Sequence, residues 1–356
     1  MFNYNWTLKD AVFTKDKGKV FSCFSCGGGS TMGYKLAGFD VIGCNEIDPK
    51  LMNIYIDNHK PKFSFLESIS TFKDRNDLPK ELYNLDILDG SPPCSSFSMA
   101  GNREKDWGKS KKFREGQTYQ ILDTLFFDFI DLAEKLQPKI VVAENVKGIL
   151  LGRAFEYTKE IHKAFDKAGY YCQHYLLDAS KMGVPQKRER VFFICIRKDI
   201  ATPVLRQVDM FKYEPQLQLS FNEDEIPFKD IEATEAETEI FPPSPCFKKY
   251  WEMCSPGEST AKHHPKGYFF GSYKIDKMQP LNTILAGYSK SRCGALHYEK
   301  YRLLKRSEIY KASTFPLDYE CKDPFYICGM SVPPVMVARI ATEIYKQWLS
   351  KVSKNF

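Results

Sequence analysis

The stretch KVFSCFSCGGG, residues 19–29, decides the fold because an apolar run ends there on three consecutive glycines. Its first half, Lys19–Phe24, has the composition of a buried strand. The glycines after it predict a tight turn into a helix, where the backbone approaches a ligand closely. The spacing differs from Gly-x-Gly-x-x-Gly, which argues against an ordinary nicotinamide dehydrogenase. The stretch therefore predicts the first strand–turn–helix unit of an α/β sheet.

Further apolar runs of strand length follow along the first 200 residues. They are Val41–Asn45, Asp86–Asp89, Ile140–Ala143 and Val191–Ile196. The last two are almost entirely apolar, as expected for strands that are covered on both faces. Together the runs predict a doubly wound, mostly parallel, Rossmann-like α/β sheet that binds its ligands at the carboxyl ends of the strands.

Helix signals lie between these strands. Asp48 and Pro49 have the positions of an N-cap and a first helical residue. Apolar residues recur at helical spacing from Ile121 to Ala133, and again from Val335 to Trp348 after a Pro-Pro pair. We therefore expect a long central helix and a C-terminal amphipathic helix.

The composition limits the class of protein. The chain has 356 residues, and its 51 basic and 45 acidic residues give a formal net charge of +6, which permits a nucleic-acid partner without requiring one. The 11 cysteines lack the dense spacing of a secreted scaffold, and we find no signal peptide and no apolar run long enough to span a membrane. We expect a monomer in a reducing cytoplasm.

The character of the sequence changes after Arg197. Residues 203–245 are rich in proline, and residues 223–239 carry eight acids against one lysine, which predicts a connector that faces solvent. Residues 246–298 are mixed and rich in aromatic residues. We predict a catalytic domain from residues 1–199 and 300–356, and a smaller, irregular domain for connector and recognition from residues 200–299.

Glu46 lies shortly after the glycine turn, at the end of the second predicted strand. A carboxylate in this place commonly holds ribose hydroxyls, so the turn and Glu46 together suggest a cofactor that contains a nucleoside. We predict no metal site. Cys23 and Cys26 lack a second pair at zinc spacing, and His263-His264 has no partner at metal-ligand spacing.

Three polar motifs follow strands. In GSPPC, residues 90–94, two prolines stiffen the turn that carries Cys94. Glu144 ends an apolar strand, where a carboxyl group is costly unless it is paired or functional. Arg188 and Arg190 alternate at the entrance of the next strand, so both guanidinium groups are expected on the same side.

Together and in this order, these motifs resemble those of the DNA (cytosine-5) methyltransferase family. The resemblance rests on Phe-x-x-x-Gly-Gly, Pro-Pro-Cys, Glu-Asn-Val, Gln-x-Arg-x-Arg and Gly-x-Ser-Val-Pro, and it covers residues 19–200 and 300–350. Arg302 and Glu308 look like a degraded form of a further family motif. The sequence departs from the pattern at Cys26, Ser68 and Met330, where the family usually has glycine, aspartate and asparagine.

The resemblance implies a role for each matched residue. Cys94 would be the nucleophile, Glu144 would contact N3 of cytosine, Arg190 would hold O2, and Arg188 would support the site. The cofactor would be S-adenosylmethionine. Its site would consist of Phe24, Gly28, Gly29, Glu46, Ile47, Ser68, Ile69, Leu125, Ser331 and Val332.

A thiolate that adds to C6 of cytosine makes C5 reactive, and the base must leave the duplex stack to reach it. Residues 100–116 are basic and punctuated by glycine, and we expect this loop to close over phosphates. Candidate DNA contacts are Arg103, Lys109, Lys111, Lys112, Lys290 and Arg292.

The resemblance thus implies a sequence-specific DNA cytosine C5 methyltransferase of bacterial or phage type. Duplex DNA would be its partner, and a cognate restriction endonuclease would share the target sequence without binding the protein. Two alternatives remain open at this point. One is a tRNA cytosine C5 methyltransferase on the same scaffold, and the other is a catalytically silent relative that only binds nucleic acid.

Overall fold

We analysed a computed structural model of the chain. It describes residues 2–93, 124–152, 154–211, 213–238, 241–269, 271–288 and 294–352, and the backbone alone of 110–111 and 120–121. Cys94 and most of the predicted phosphate loop, residues 100–116, lie outside these ranges.

The strands form one large sheet and several two-stranded ribbons. They are β1 (Lys19–Cys23), β2 (Asp40–Glu46), β3 (Phe63–Leu66), β4 (Ile87–Gly90), β5 (Ser110–Lys111), β6 (Gln120–Ile121), β7 (Ile140–Val146), β8 (Tyr170–Asp178), β9 (Gln186–Lys187), β10 (Glu189–Arg197), β11 (Leu205–Gln207), β12 (Tyr213–Pro215), β13 (Tyr273–Lys274), β14 (Leu281–Asn282) and β15 (Ala295–Leu296).

The α-helices are α1 (Gly29–Leu36), α2 (Pro49–His59), α3 (Ile69–Asp74), α4 (Leu125–Leu136), α5 (Ala154–Lys167), α6 (Lys248–Met253), α7 (Arg306–Ala312), α8 (Pro324–Met330), α9 (Pro334–Ile344) and α10 (Ser350–Val352). A π-helical turn, Tyr345–Leu349, joins the last two. Short 3₁₀ helices are Lys80–Tyr83, Lys147–Leu150, Ala179–Lys181, Lys198–Ile200, Thr202–Val204, Phe228–Asp230, Pro245–Phe247 and Thr260–His263.

Contacts divide the chain into two compact units. The recognition-side unit comprises residues 1–12, 178–188 and 221–337, and the sheet unit comprises residues 13–177, 189–220 and 338–356. The sequence-based division at residues 199 and 299 is a functional one, which these contacts do not test, and it stays a prediction.

The sheet unit is built on seven strands in the order β3-β2-β1-β4-β7-β10-β8. β1, β2, β3, β4 and β7 pair in parallel, and β10 runs antiparallel to β7. The chain leaves β1 towards one edge of the sheet and β4 towards the other. The carboxyl ends of β1 and β4 are therefore the switch point, where ligands bind in such sheets. The predicted mostly parallel, doubly wound class is confirmed.

Helices cover both faces of this sheet. On one face, Phe21 and Leu88 belong to an apolar cluster with Phe72 of α3, Phe129 of α4 and Phe165 of α5. On the other face, Cys44 packs with Met52 and Tyr55 of α2. Burial on both sides explains why the strand sequences are nearly continuous apolar runs.

The helix signals are confirmed with shifted boundaries. The Asp48 carboxylate accepts the backbone N–H of Lys50 at 2.8 Å, as an N-cap does, and Pro49 begins α2. The central helix begins at Leu125, whereas Ile121 belongs to β6. The predicted C-terminal helix is α9 together with the π turn, and Trp348 is fully buried.

The helical run Pro324–Val352 is long and apolar enough to cross a membrane, by length and composition only. However, 78% of its most apolar 18-residue stretch is buried within the protein. Burial of this extent is typical of a core helix, in which the apolar side chains already have protein neighbours.

The recognition-side unit has short regular elements and many polar contacts. β9 pairs in parallel with β14, and β13 with β15. The acidic segment was predicted to face solvent, but two of its acids form hydrogen bonds within the protein. Glu232 accepts a hydrogen bond from His297 at 2.7 Å, and Glu237 accepts the Ser307 N–H at 3.2 Å. The prediction was wrong for these acids because polar groups of residues 297–307 lie beside them.

A buried ion pair anchors α7. Both carboxylate oxygens of Glu308 accept hydrogen bonds from the Arg302 guanidinium at 2.8 Å, and the two side chains are 0% and 7% exposed. Glu308 also accepts the backbone N–H groups of Lys305 and Ala233. Removal of one partner would leave an uncompensated charge, which is far costlier than loss of the pair itself.

We predict that Arg302→Met destabilises the protein by about 3–5 kcal/mol, because Glu308 then stays buried without its cation. Arg302→Met/Glu308→Gln should recover much of this loss, since a neutral amide oxygen still accepts backbone N–H groups. Urea unfolding of both variants measures the difference. Equal destabilisation of single and double variant would contradict the explanation.

A second prediction concerns Asp89 of β4. Burial raises its pKa to about 6, above the ordinary 3.8, although hydrogen bonds from Ser30, Ser22 and Tyr34 act in the opposite direction. The folded protein therefore holds a proton that the unfolded chain releases between about pH 4 and pH 6. The stability from this proton is present below pH 4 and is lost as the pH rises through 6, by about 3 kcal/mol.

Asp89→Asn should remove this dependence. We expect the free energy of unfolding of the wild-type protein to fall relative to that of Asp89→Asn between pH 4 and pH 6.5. Urea titrations at several pH values give both curves, and parallel curves would show that Asp89 is not the group concerned.

Candidate active site

The glycine turn after β1 has an unusual backbone. Phe24 and Cys26 have positive φ angles of 53° and 46°, and Gly28, the N-cap of α1, has 73°. A Cβ at Gly28 would lie 2.2 Å from Nε2 of His59, so no other residue fits without movement. The contact with His59 and the positive φ angles therefore define the shape of the turn. This shape places the backbone of residues 24–28 at the carboxyl end of β1.

A hydrogen bond from His59 of α2 stabilises this turn. Its Nε2 lies 3.2 Å from the carbonyl oxygen of Gly27, and burial lowers its pKa to about 3. The ring is therefore neutral, and since a carbonyl only accepts, Nε2 carries the hydrogen.

Glu46 ends β2 beside the turn and is 7% exposed. Its Oε2 accepts the Cys26 N–H at 2.8 Å, and its Oε1 accepts the N–H groups of Ile47 and Asp48 at 2.9 and 3.0 Å. Burial raises the pKa of this carboxyl group, and the backbone hydrogen bonds oppose that shift. Among the described residues, these bonds use three of its four acceptor positions and leave one on Oε2.

The other predicted cofactor residues of this unit differ in exposure. Ile47 and Phe24 are half-buried. Ser68 caps α3 by accepting the Thr71 N–H at 3.1 Å, whereas Ile69 and Leu125 are each 2% exposed within the apolar core. The structure therefore brings Phe24, Gly28, Gly29, Glu46 and Ile47 to the carboxyl ends of β1 and β2, and gives Ile69 and Leu125 little free surface.

The turn after β4 is held from two sides. A Cβ at Gly90 would lie 2.6 Å from the Phe129 ring, so glycine lets α4 pack against the strand end. Asn145 donates its side-chain N–H to the Pro92 carbonyl at 3.4 Å. The described chain stops one residue before Cys94, after Pro93. The turn that leads to Cys94 therefore starts beside the end of β7.

Glu144 and Arg190 meet on neighbouring antiparallel strands. Arg190 pairs with Val146 and Phe192 with Glu144, which places the two charged side chains near each other. Arg190 Nε lies 3.0 Å from Glu144 Oε1, and the side chains are 14% and 13% exposed. Burial lowers the pKa of Arg190, and the Glu144 charge partly restores it.

Arg190 has further N–H donors besides the Nε–H that faces Glu144. Its Nη1 donates to the Glu189 carbonyl at 2.8 Å. Within the described part of the chain, Nη2 has no hydrogen-bond partner. Among the described residues, the arrangement therefore presents a carboxylate and unbonded guanidinium N–H groups close to the strand end that precedes Cys94.

Sequence reasoning gave no role to Asp89, which lies at the switch point. Its carboxylate accepts hydrogen bonds from Ser22 (2.8 Å), Ser30 (2.6 Å) and Tyr34 (3.1 Å), so it connects β1 and α1 to β4. A carboxyl group inside an otherwise apolar strand was the available signal. Asn145 was also missed, although it directly follows Glu144.

Arg188, Ser331 and Val332 belong to the recognition-side unit. The buried Arg188 donates to the carbonyls of Ile284 at 3.2 Å and Gly329 at 2.8 Å. Ser331 and Val332 are each 5% exposed, and Ser331 caps the end of α8. Arg188 thus serves as a link inside its own unit, whereas Arg190 pairs with Glu144 in the other.

The candidate DNA contacts cannot be placed. Arg103, Lys109, Lys112, Lys290 and Arg292 lie outside the described residues, and of Lys111 only the backbone is described. Their assignment to DNA stays a prediction from the sequence.

Comparison with known proteins agrees with this geometry. The sequence model of the family described as C-5 cytosine-specific DNA methylase matches residues 18–346. Type II methyltransferase M.FnuDI of Fusobacterium nucleatum is 39% identical over 183 residues, which are 51% of this chain and 48% of that protein. Type II methyltransferase M.Sau96I of Staphylococcus aureus is 27% identical over 320 residues, 85% of this chain and 68% of that protein.

A solved structure shares the fold. The crystal structure of a triple mutant of Spodoptera frugiperda DNMT2 has a TM-score of 0.61 and 16% identity, and the match covers 92% of this chain and 99% of that one. The chain spans about half the length of most of the curated relatives that it matches. With the family match over most of its length, this chain belongs to the family of C-5 cytosine-specific DNA methylases.

Proposed function

We propose that this protein methylates C5 of cytosine within a specific sequence of duplex DNA, with S-adenosylmethionine as the methyl donor. The observation that carries the proposal is the Glu144–Arg190 pair at 3.0 Å, beside the turn that Asn145 holds at Pro92. An acid and a guanidinium at this place are the groups that a cytosine ring needs when a thiolate attacks it.

The residues at the carboxyl ends of β1 and β2 fit a nucleoside cofactor. Glu46 keeps one acceptor position on Oε2, which suits one ribose hydroxyl. Half-buried Ile47 offers an apolar surface to an adenine ring, and the positive φ angles of the turn bring backbone close. When bound, S-adenosylmethionine supplies an electrophilic methyl group on a sulfonium sulfur.

Cys94 starts the reaction as a thiolate. Its Sγ forms a bond to C6 of cytosine, and the C5–C6 double bond then becomes electron-rich at C5. C5 takes the methyl group, a base removes the C5 proton, and the Sγ–C6 bond breaks to restore the ring. Cys94 leaves as the thiolate that entered, so the protein is unchanged.

Glu144 and Arg190 stabilise the ring during the attack. Negative charge develops on N3 and O2 as the thiolate adds. Glu144 hydrogen-bonds at N3 through a proton, and the free Nη2 of Arg190 donates to O2. The contact between Arg190 Nε and Glu144 Oε1 holds both side chains in place, and the proton that Glu144 shares with N3 lies on Oε2, so little reorganisation is needed when charge develops.

The cytosine must leave the duplex stack before Cys94 can reach C6. We assign closure over the DNA backbone to residues 100–116 and sequence recognition to residues 246–298. We further propose that the protein acts as a monomer in the cytoplasm of a bacterium or a phage-infected cell, and that it protects DNA from a cognate restriction endonuclease. The names of the relatives as type II methyltransferases support this last point.

The first test is bisulfite sequencing of DNA from cells that express the chain. We expect cytosines within one short sequence to resist conversion, and none to do so with Cys94→Ala. Purified Cys94→Ala should still bind duplex DNA. A parallel assay of labelled methyl transfer to duplex DNA and to tRNA tests the alternative substrate, and activity on tRNA alone would overturn our proposal.

Substitution of the pair tests the mechanism. Glu144→Ala should lower kcat by about 10²–10⁴-fold, since proton donation at N3 is lost. Arg190→Met should lower kcat by about 10²-fold or more, since the O2 donor is lost. Single-turnover methyl transfer measures both, with circular dichroism as the folding control. Full activity in either variant would exclude that residue from catalysis.

Glu46→Gln tests the cofactor site. A neutral amide oxygen accepts more weakly, and its NH₂ group meets backbone N–H donors, so we expect the Kd of S-adenosylmethionine to rise by about 10-fold or more. Isothermal titration measures it. Glu67→Gln is the matched control, because Glu67 pairs with Arg75 at 2.9 Å and has no role in our assignment. Equal effects of both variants would contradict it.

A further inference from the structure

Three potential metal ligands lie together in the recognition-side unit. Cys254, Glu258 and His263 each offer one ligand atom, and these atoms all lie within 4.8 Å of one another. This cluster was not predictable from the sequence, since His263 has no partner at metal-ligand spacing. The folded chain brings the three together within ten residues.

The local backbone explains the approach. Cys254 ends α6, where its N–H bonds to the carbonyls of Tyr250 and Trp251. The chain then turns through Gly257, whose φ is 83°, and Glu258 bonds back to the Ser255 carbonyl. The turn reverses the chain, so that the 3₁₀ helix Thr260–His263 returns towards the end of α6.

The side chains meet at the edge of the interior. Cys254 is 4% exposed, whereas the side chains of Glu258 and His263 are 17% and 22% exposed. Nε2 of His263 lies 2.9 Å from Oε2 of Glu258. The cluster thus has a buried sulfur and an open side, through which an ion and a water molecule can enter.

Existing contacts of Glu258 compete with a cation. Its Oε2 accepts the backbone N–H of Ser255 at 3.0 Å and lies 2.9 Å from His263 Nε2, which leaves Oε1 as the ligand atom. Lys262 Nζ lies 2.5 Å from Oε1 of Glu258, and the Lys262 side chain is 71% exposed. Water screens an ion pair to such an exposed ammonium, so the ammonium moves into water at little cost. A thiolate, an imidazole and a carboxylate that bind one dication together outweigh that contact.

We propose that Cys254, Glu258 and His263 form a binding site for a Zn²⁺ ion. Sulfur, imidazole nitrogen and carboxylate oxygen together suit a borderline-soft dication with tetrahedral preference. A water molecule takes the fourth position on the exposed side. Binding requires the thiolate, so the Cys254 proton passes to solvent as the Zn–S bond forms, and Zn²⁺ stays in one oxidation state.

The ion fastens a region that has little regular structure. Between residues 248 and 296, the described elements are α6, one 3₁₀ helix and three two-residue strands. Backbone hydrogen bonds of regular elements hold little of this region, and a metal ion that joins residues 254, 258 and 263 limits its conformational freedom. The proposal concerns the folding of the unit, and it holds whether or not the proposed methylation is correct.

The test uses the full chain, freed of metal by dialysis against EDTA and then titrated with Co²⁺. We expect one equivalent to bind with a thiolate-to-cobalt charge-transfer band in the near ultraviolet. Zn²⁺ should abolish the band and raise Tm. Cys254→Ser should lose the band, and His263→Gln should weaken Co²⁺ binding by at least about tenfold.

Matched controls come from the same region. Cys246→Ser removes an exposed thiol, and His264→Gln changes the neighbouring histidine, whose Nδ1 instead accepts the N–H groups of Lys266 and Tyr268. Both should keep the band. Circular dichroism checks folding, and His263→Gln serves if Cys254→Ser does not fold. Absence of the band in the wild-type protein, or equal effects of Cys246→Ser and Cys254→Ser, would overturn the proposal.

Discussion

The parallel pairing of β1 with β4 is the constraint on which the candidate site depends. The register Val20 with Ile87 to Cys23 with Gly90 ends both strands at the same level. One strand leads into the glycine turn and the other into the Pro-Pro turn before Cys94. The glycine turn and the Pro-Pro turn thus become neighbours through backbone hydrogen bonds, and the Asp89 carboxylate adds three contacts with hydroxyl groups across the same junction.

The neighbouring strands β7 and β10 carry two charged side chains near the same edge of the sheet. Their antiparallel register places Glu144 and Arg190 side by side, although the residues are distant in sequence. Partial burial makes each charge depend on the other. The recognition-side unit has an ion pair of its own, in which Arg302 and Glu308 anchor α7. In both units an ion pair thus joins two charged side chains that are mostly shielded from water.

Much of the sheet was predictable because strands covered on both faces must be continuously apolar. The start of α2 was predictable because Asp followed by Pro is typical of a helix N-cap and first helical residue. The candidate residues Glu46, Glu144 and Arg190 were also predictable, since polar groups at buried strand ends are costly without a partner. Their pairing was not, because it depends on strand order and register. The carboxyl group of Asp89 inside an apolar strand was a signal, but its hydroxyl partners lie on β1 and α1 and depend on strand order. The Cys254 cluster arises from a turn whose spacing matches no regular motif.

His59 gives the glycine turn a property that the sequence alone does not suggest. Histidine is usually the residue through which a protein senses acidity near neutral pH. Here burial keeps the His59 ring uncharged throughout the pH range of a living cell, and the hydrogen bond to Gly27 persists. The glycine turn therefore keeps this contact when the pH falls by one or two units below neutrality, unlike a turn held by an ordinary histidine.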